Sequence, residues 1–113
     1  MDKIKLYQKL IVNLLEKHAA VLPYNMQNVE NQVIADKERN HFQLVTLGWD
    51  GKRYVHSVVF HFDIKPNGKI WLQANWTDTD VAAELEDLGV PKSDIVLGFQ
   101  PEYARPYSGY ATA

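Results

Sequence analysis

The sequence predicts an α+β fold, an antiparallel β-meander of about four to five strands with an N-terminal amphipathic helix and a second short helix packed on it. Three observations predict it. Apolar residues recur at helical spacing near the N-terminus, turn residues punctuate several β-rich segments in the middle, and a capped apolar stripe follows them. A chain of 113 residues can bury one core but not two ordinary domains, so residues 1–113 are read as a single domain.

From Asp2 to about Ala20, Ile4, Tyr7, Leu10, Ile11, Leu14 and Leu15 fall on one stripe of a helix. Asp2 is placed to cap its first turn, and Pro23 bars continuation. Lys3, Lys5, Lys9 and Lys17 lie mostly off the stripe, as a solvated face would require. After a polar connector, Val29 to Asp36 reads as a first strand, and His41 to Trp49 as a second beyond the charged turn Lys37-Glu38-Arg39-Asn40. Asp50-Gly51 tolerates the positive φ angles of a type I′ turn, so Arg53 to Ile64 should return antiparallel as the third strand. Pro66-Asn67-Gly68 makes the next turn, and Lys69 to Trp76 the fourth strand.

Strict alternation along the third strand puts Tyr54, Val58, Phe60, Phe62 and Ile64 on one face and Val55, Ser57, Val59, His61 and Asp63 on the other. The second face is only half apolar, which suggests cover by a partner subunit. Thr77-Asp78-Thr79-Asp80 offers cap oxygens to a second helix whose stripe is Val81, Leu85 and Leu88 and which stops at Gly89. The apolar run Ile95 to Phe99 is read as a fifth strand or extended segment. The tail, with Pro101, Tyr103, Pro106, Tyr107 and Tyr110, combines fixed φ with amphipathic rings suited to docking.

Composition narrows the function classes. Twelve Lys and Arg against fourteen Asp and Glu give a net charge of -2, without the basic excess that drives binding to phosphate backbones, so direct DNA binding should be weak. The chain has no Cys, which removes disulfides, thiolate nucleophiles and Cys-based zinc sites. No secretory signal pattern opens it and no stretch approaches the roughly 20 apolar residues of a membrane span, so a cytoplasmic protein without membrane contact is expected.

The four histidines, His18, His41, His56 and His61, show no helical metal-ligand spacing. His61 and Asp63 share a strand face, with His41 on the neighbouring strand, and the simpler reading is a cross-sheet hydrogen bond rather than a ligand set. A magnesium nuclease would draw on Asp63, Lys65 and Glu30, but that Lys sits at a hairpin end. Ser57, Ser93 and Ser108 lie in no nucleophile elbow, and the six glycines form no phosphate-cradling loop. Trp49, Tyr54, Trp71 and Trp76 offer stacking surfaces, yet the nearby basic residues gather at turns, which favours packing and interface anchoring over base stacking. No catalytic, cofactor or metal residue is assigned.

Several short motifs in one order carry a resemblance. They are Phe42-Gln43-Leu44, Gly48-Trp49, His61-Phe62-Asp63-Ile64-Lys65, Ile70-Trp71-Leu72-Gln73, the block from Gly89 to Phe99, and Arg105-Pro106-Tyr107-Ser108-Gly109-Tyr110-Ala111. Together they resemble the XisI family, the fdxN-element excision controlling factors of cyanobacteria, over nearly the whole chain. The resemblance implies an α+β domain that helps control excision of a DNA element alongside a companion, XisH, and a separate recombinase. At Gln73-Ala74-Asn75-Trp76-Thr77 this chain departs from members that read Q-H-D-G-T, so Ala74 and Asn75 stand where those have His and Asp.

The resulting expectation is a non-catalytic factor that binds a XisH-like protein and forms a homodimer. Val55, Val59, Trp71, Trp76, Tyr103 and Tyr107 are the candidate interface. The alternatives are a metal-dependent nuclease and a direct nucleic-acid-binding module.

Overall fold

In the computed structural model, which describes residues 2–113, the chain runs α1 (Lys3–Ala19), β1 (Val29–Asp36), β2 (His41–Asp50), β3 (Arg53–Ile64), β4 (Ile70–Asn75), α2 (Val81–Asp87) and β5 (Ile95–Leu97). Short 3₁₀ turns at Lys92–Asp94 and Glu102–Tyr107 flank the last strand. The predicted elements all form, within a residue or two for the first four strands.

The sheet order is β1-β2-β3-β4-β5, and the first four strands form the expected antiparallel meander. The fifth strand departs from it, because β5 pairs parallel to β4, with Ile70 opposite Ile95 and Leu72 opposite Leu97. The reason is the connection: α2 crosses over between β4 and β5, and such a crossover returns the chain in the same direction. The sheet is therefore mixed.

One face of the sheet carries the core, where Tyr7, Ile11, Leu14 and Leu15 of α1 and Val81 and Leu85 of α2 pack on Phe42, Leu44, Phe60, Phe62, Ile64 and Leu72. Asp2 caps α1 as the sequence suggested, its carboxylate accepting from the Ile4 N–H at 2.9 Å. Asp80 caps α2 through the Ala83 N–H at 3.1 Å, and Gly89, at φ +101°, ends it while the Val90 N–H returns to the Leu85 carbonyl. The two helices are tied by Glu84, which accepts from Lys17 Nζ at 3.1 Å and His18 Nε2 at 3.0 Å. Burial works against the charge on Glu84, yet these partners hold its carboxyl below the usual range.

The far end of α1 is fastened to the sheet by a polar relay that starts at the buried Thr46 and opens toward solvent. Thr46 Oγ1 donates to Asn31 Oδ1 at 2.6 Å, and Asn31 Nδ2 donates to the Ala19 and Val21 carbonyls at 3.2 and 3.1 Å, satisfying groups that the end of a helix leaves free. Beside it Gly48 has φ +137°, and a Cβ there would lie 2.4 Å from the Asn28 carbonyl oxygen. The C-terminal tail docks on the β5 edge, where the Ala111 N–H reaches the Ile95 carbonyl at 2.8 Å and Tyr110 donates to Glu86 at 2.7 Å.

Candidate functional site

Two β-bulges decide which side chains meet on the face of the sheet opposite the helices. From Asp50↔Arg53 to Val45↔Val58 the β2–β3 hairpin is regular, but the next pair is Leu44↔Phe60, so Val59 is an extra residue on β3. Beyond it His41 stands opposite Asp63 and Gln43 opposite His61. The second bulge is on β4, where His61 pairs with Ala74 and Phe62 with Leu72, leaving Gln73 over. Bulges re-aim side chains, and these two aim Gln73, His41 and His61 at one carboxylate.

That carboxylate is Asp63, only 8% exposed. Its Oδ1 accepts from His41 Nδ1 at 2.7 Å and from His61 Nε2 at 2.9 Å, while its Oδ2 accepts from Gln73 Nε2 at 3.1 Å. Gln43 Nε2 lies 3.2 Å from the remaining ring nitrogen of His61, a contact that the Nε2–H tautomer satisfies. Burial pushes the Asp63 carboxyl up, but the hydrogen bonds from His41, His61 and Gln73 and the nearness of His61 outweigh it and hold the group below its ordinary value. Gly98 makes room for the cluster: a Cβ there would come within 2.5 Å of Gln73 Oε1 and 3.0 Å of Trp71 Cε3.

The Val59 bulge also redistributes the residues expected at an interface. Strict alternation grouped Val55 and Val59 with His61 and Asp63, but the register turns Val55 and Ser57 to the side of Thr46 and Gly48. Val55 is 7% exposed and Val59 packs against the helix-side core. The open side carries Tyr54, His56 and Val58 of β3 opposite Trp49, Leu47 and Val45 of β2, with the Trp49 and Tyr54 rings 5.2 Å apart. Trp71 is half-buried under the tail, with the Arg105 guanidinium 4.9 Å and Lys65 Nζ 5.4 Å from its ring. Trp76, Tyr103 and Tyr107 are strongly exposed, Trp76 at 82%.

On the helix side a groove of about 730 Å³ opens between the α1–β1 loop and the β4–α2 loop. Leu44, Val59 and Phe60 line it, and Leu22, Tyr24 and Trp76 are exposed around it. The residues of the nuclease alternative do not converge. Glu30 lies opposite Leu47 and Asp63 opposite His41, six positions along β2 or about 20 Å apart, and Lys65 is placed over Trp71.

The model of the family described as XisI protein matches residues 1–112. The chain belongs to the XisI family. Among solved members, a XisI-like protein from Anabaena variabilis ATCC 29413 is 47% identical, with a TM-score of 0.89 over 97% of this chain and 99% of that one. The fdxN element excision controlling factor XisI from the same organism is 29% identical, with a TM-score of 0.83 over 99% of this chain and 100% of that one. Curated proteins give no match. The mixed five-stranded sheet with one long and one short helix is thus the architecture of XisI-like proteins. No helix among the described residues is long and apolar enough to cross a membrane.

Proposed function

We propose that this XisI-family chain is a non-catalytic factor in the control of DNA excision that works by binding a XisH-like protein in the cytoplasm. The observation that carries the reading is the groove beside Trp76, where a large ring stands 82% exposed next to apolar lining and the exposed Leu22 and Tyr24. An indole in water at the mouth of a preformed groove that mixes Leu44, Val59 and Phe60 with polar residues such as Asn31, Thr46 and Thr77 is a typical interface anchor, large and apolar with one polar handle. Tyr103 and Tyr107 on the tail offer a second contact of the same chemistry. Membership of a family named for an excision controlling factor supports a regulatory role, and a net charge of -2 favours a protein partner over DNA.

Self-association uses a different surface in this reading. Ile34, Trp49 and Tyr54 are all about half exposed on the open side of the sheet, and a second copy of the chain would cover them. Co-expression with the XisH-like product of a neighbouring gene tests the partner assignment. A complex that survives size-exclusion chromatography at micromolar concentration is expected, and separate elution would overturn the assignment.

A further inference from the structure

We propose that His41, His61 and Asp63 form a binding site for one divalent cation of the zinc class. This goes beyond partner binding and stands or falls separately from it. His41 Nδ1, His61 Nε2 and a carboxylate oxygen of Asp63 lie within 4.8 Å of one another. Both ring nitrogens already converge on the same oxygen, at 2.7 and 2.9 Å. A tetrahedral zinc with bonds of about 2.0–2.1 Å sets its ligand atoms about 3.3 Å apart, so as the cation enters the two N···O contacts open by about half an ångström and the two ring nitrogens, within 4.8 Å of each other, draw together. Small rotations of the exposed His41 ring and of His61 supply that movement.

The donor set selects the ion. Two imidazoles with one carboxylate suit zinc and its borderline neighbours, whereas magnesium and calcium prefer all-oxygen shells. His41, its side chain 57% exposed, leaves the fourth position open to water. The surroundings hold the ligands as outer shells of metal sites do. Gln73 grips Asp63 Oδ2 at 3.1 Å and leaves Oδ1 to face the two rings. When Nε2 of His61 and Nδ1 of His41 bind the metal, each ring carries its proton on the other nitrogen, and His61 Nδ1–H then donates to Gln43, 3.2 Å away, whose amide turns to present oxygen. The bulge residues Val59 and Gln73 set this geometry, and Gly98 keeps the space that Gln73 needs.

The test is titration of tag-free, chelator-treated protein with Co²⁺ and then Zn²⁺ at neutral pH, read by calorimetry and by visible absorption. One equivalent should bind at low-micromolar concentration, with a tetrahedral Co²⁺ spectrum that Zn²⁺ abolishes. His41→Ala, at an exposed position that leaves the fold intact by circular dichroism, should weaken binding at least about tenfold. Asp63→Asn should do the same. His18→Ala, which removes the His18–Glu84 pair on the other side of the molecule, should leave it unchanged. The proposal is overturned by the absence of binding at high-micromolar metal, by binding that His41→Ala does not weaken, or by binding lost in His18→Ala.

Discussion

Replacing Asp63 by Asn tests how much the His41–Asp63–His61–Gln73 cluster holds the sheet together. The aspartate accepts three hydrogen bonds, two from imidazoles and one from an amide, at a site 8% exposed. Asn keeps nearly the same shape but has one acceptor oxygen and one amino group. It removes the charge from the two bonds to histidine and sets its own N–H₂ against Gln73 Nε2 unless that amide turns. A hydrogen bond to a charged group contributes about 1.5–3 kcal/mol, and part of this survives with a neutral acceptor, so a net loss of about 2 kcal/mol is expected. For a domain of this size that is about 8 °C in Tm.

The pH dependence follows from the direction of the shift. The Asp63 carboxyl is held below its ordinary value in the folded chain, so its contribution is complete above the unfolded pKa and is lost as the pH falls through the lower, folded value. The gap between wild type and Asp63→Asn should therefore be full at pH 7 and close in strong acid. Urea denaturation monitored by circular dichroism at both pH values, without added metal, reads both quantities. A variant within 0.5 kcal/mol of wild type at pH 7, using about 2 kcal/mol as the expectation, would refute the energetic role assigned to the cluster.

Other perturbations separate fold from surface. Gly48→Ala places a Cβ 2.4 Å from the Asn28 carbonyl oxygen at φ +137° and should cost at least about 2 kcal/mol in chemical denaturation. Tyr7→Phe removes the hydroxyl that donates to Asp94, a contact that with burial raises the Tyr7 pKa to about 12, and should cost about 1 kcal/mol. Tyr54→Asp, on the open side of the sheet, should give a folded monomer by light scattering, and a wild type that is monomeric at high-micromolar concentration would exclude the dimer. The chain alone should not retard DNA in a gel at sub-micromolar concentration and physiological salt.

Most of the fold was legible because its signals are local. The α1 stripe, the Asp50-Gly51 and Pro66-Asn67-Gly68 turns and the Asp80 and Gly89 ends of α2 each act within a few residues. The direction of β5 was not, since it depends on α2 serving as a crossover, which a short stripe does not announce. The His41, His61 and Asp63 part of the polar cluster was legible as a cross-sheet hydrogen bond, but its register and its Gln43 and Gln73 members were hidden for a sharper reason. Counting outward from Asp50↔Arg53 without a bulge sets His41 opposite Phe62, on the wrong face; the extra residue Val59 shifts it to Asp63. The same insertion carries Val55 away from the open side. Polar residues recurring at His41, Gln43, His61, Asp63 and Gln73 were the available signal, but only the register unites them.

Partner binding through the Trp76 groove is tested most directly by isothermal titration of the purified chain with the XisH-like protein, wild type against Trp76→Ala. Trp76 is 82% exposed, so its removal should leave Tm unchanged. Micromolar or tighter binding by wild type is expected, with Trp76→Ala weaker by at least about tenfold, as for an interface anchor. No heat of binding at tens of micromolar, or equal affinity in the variant, would contradict it.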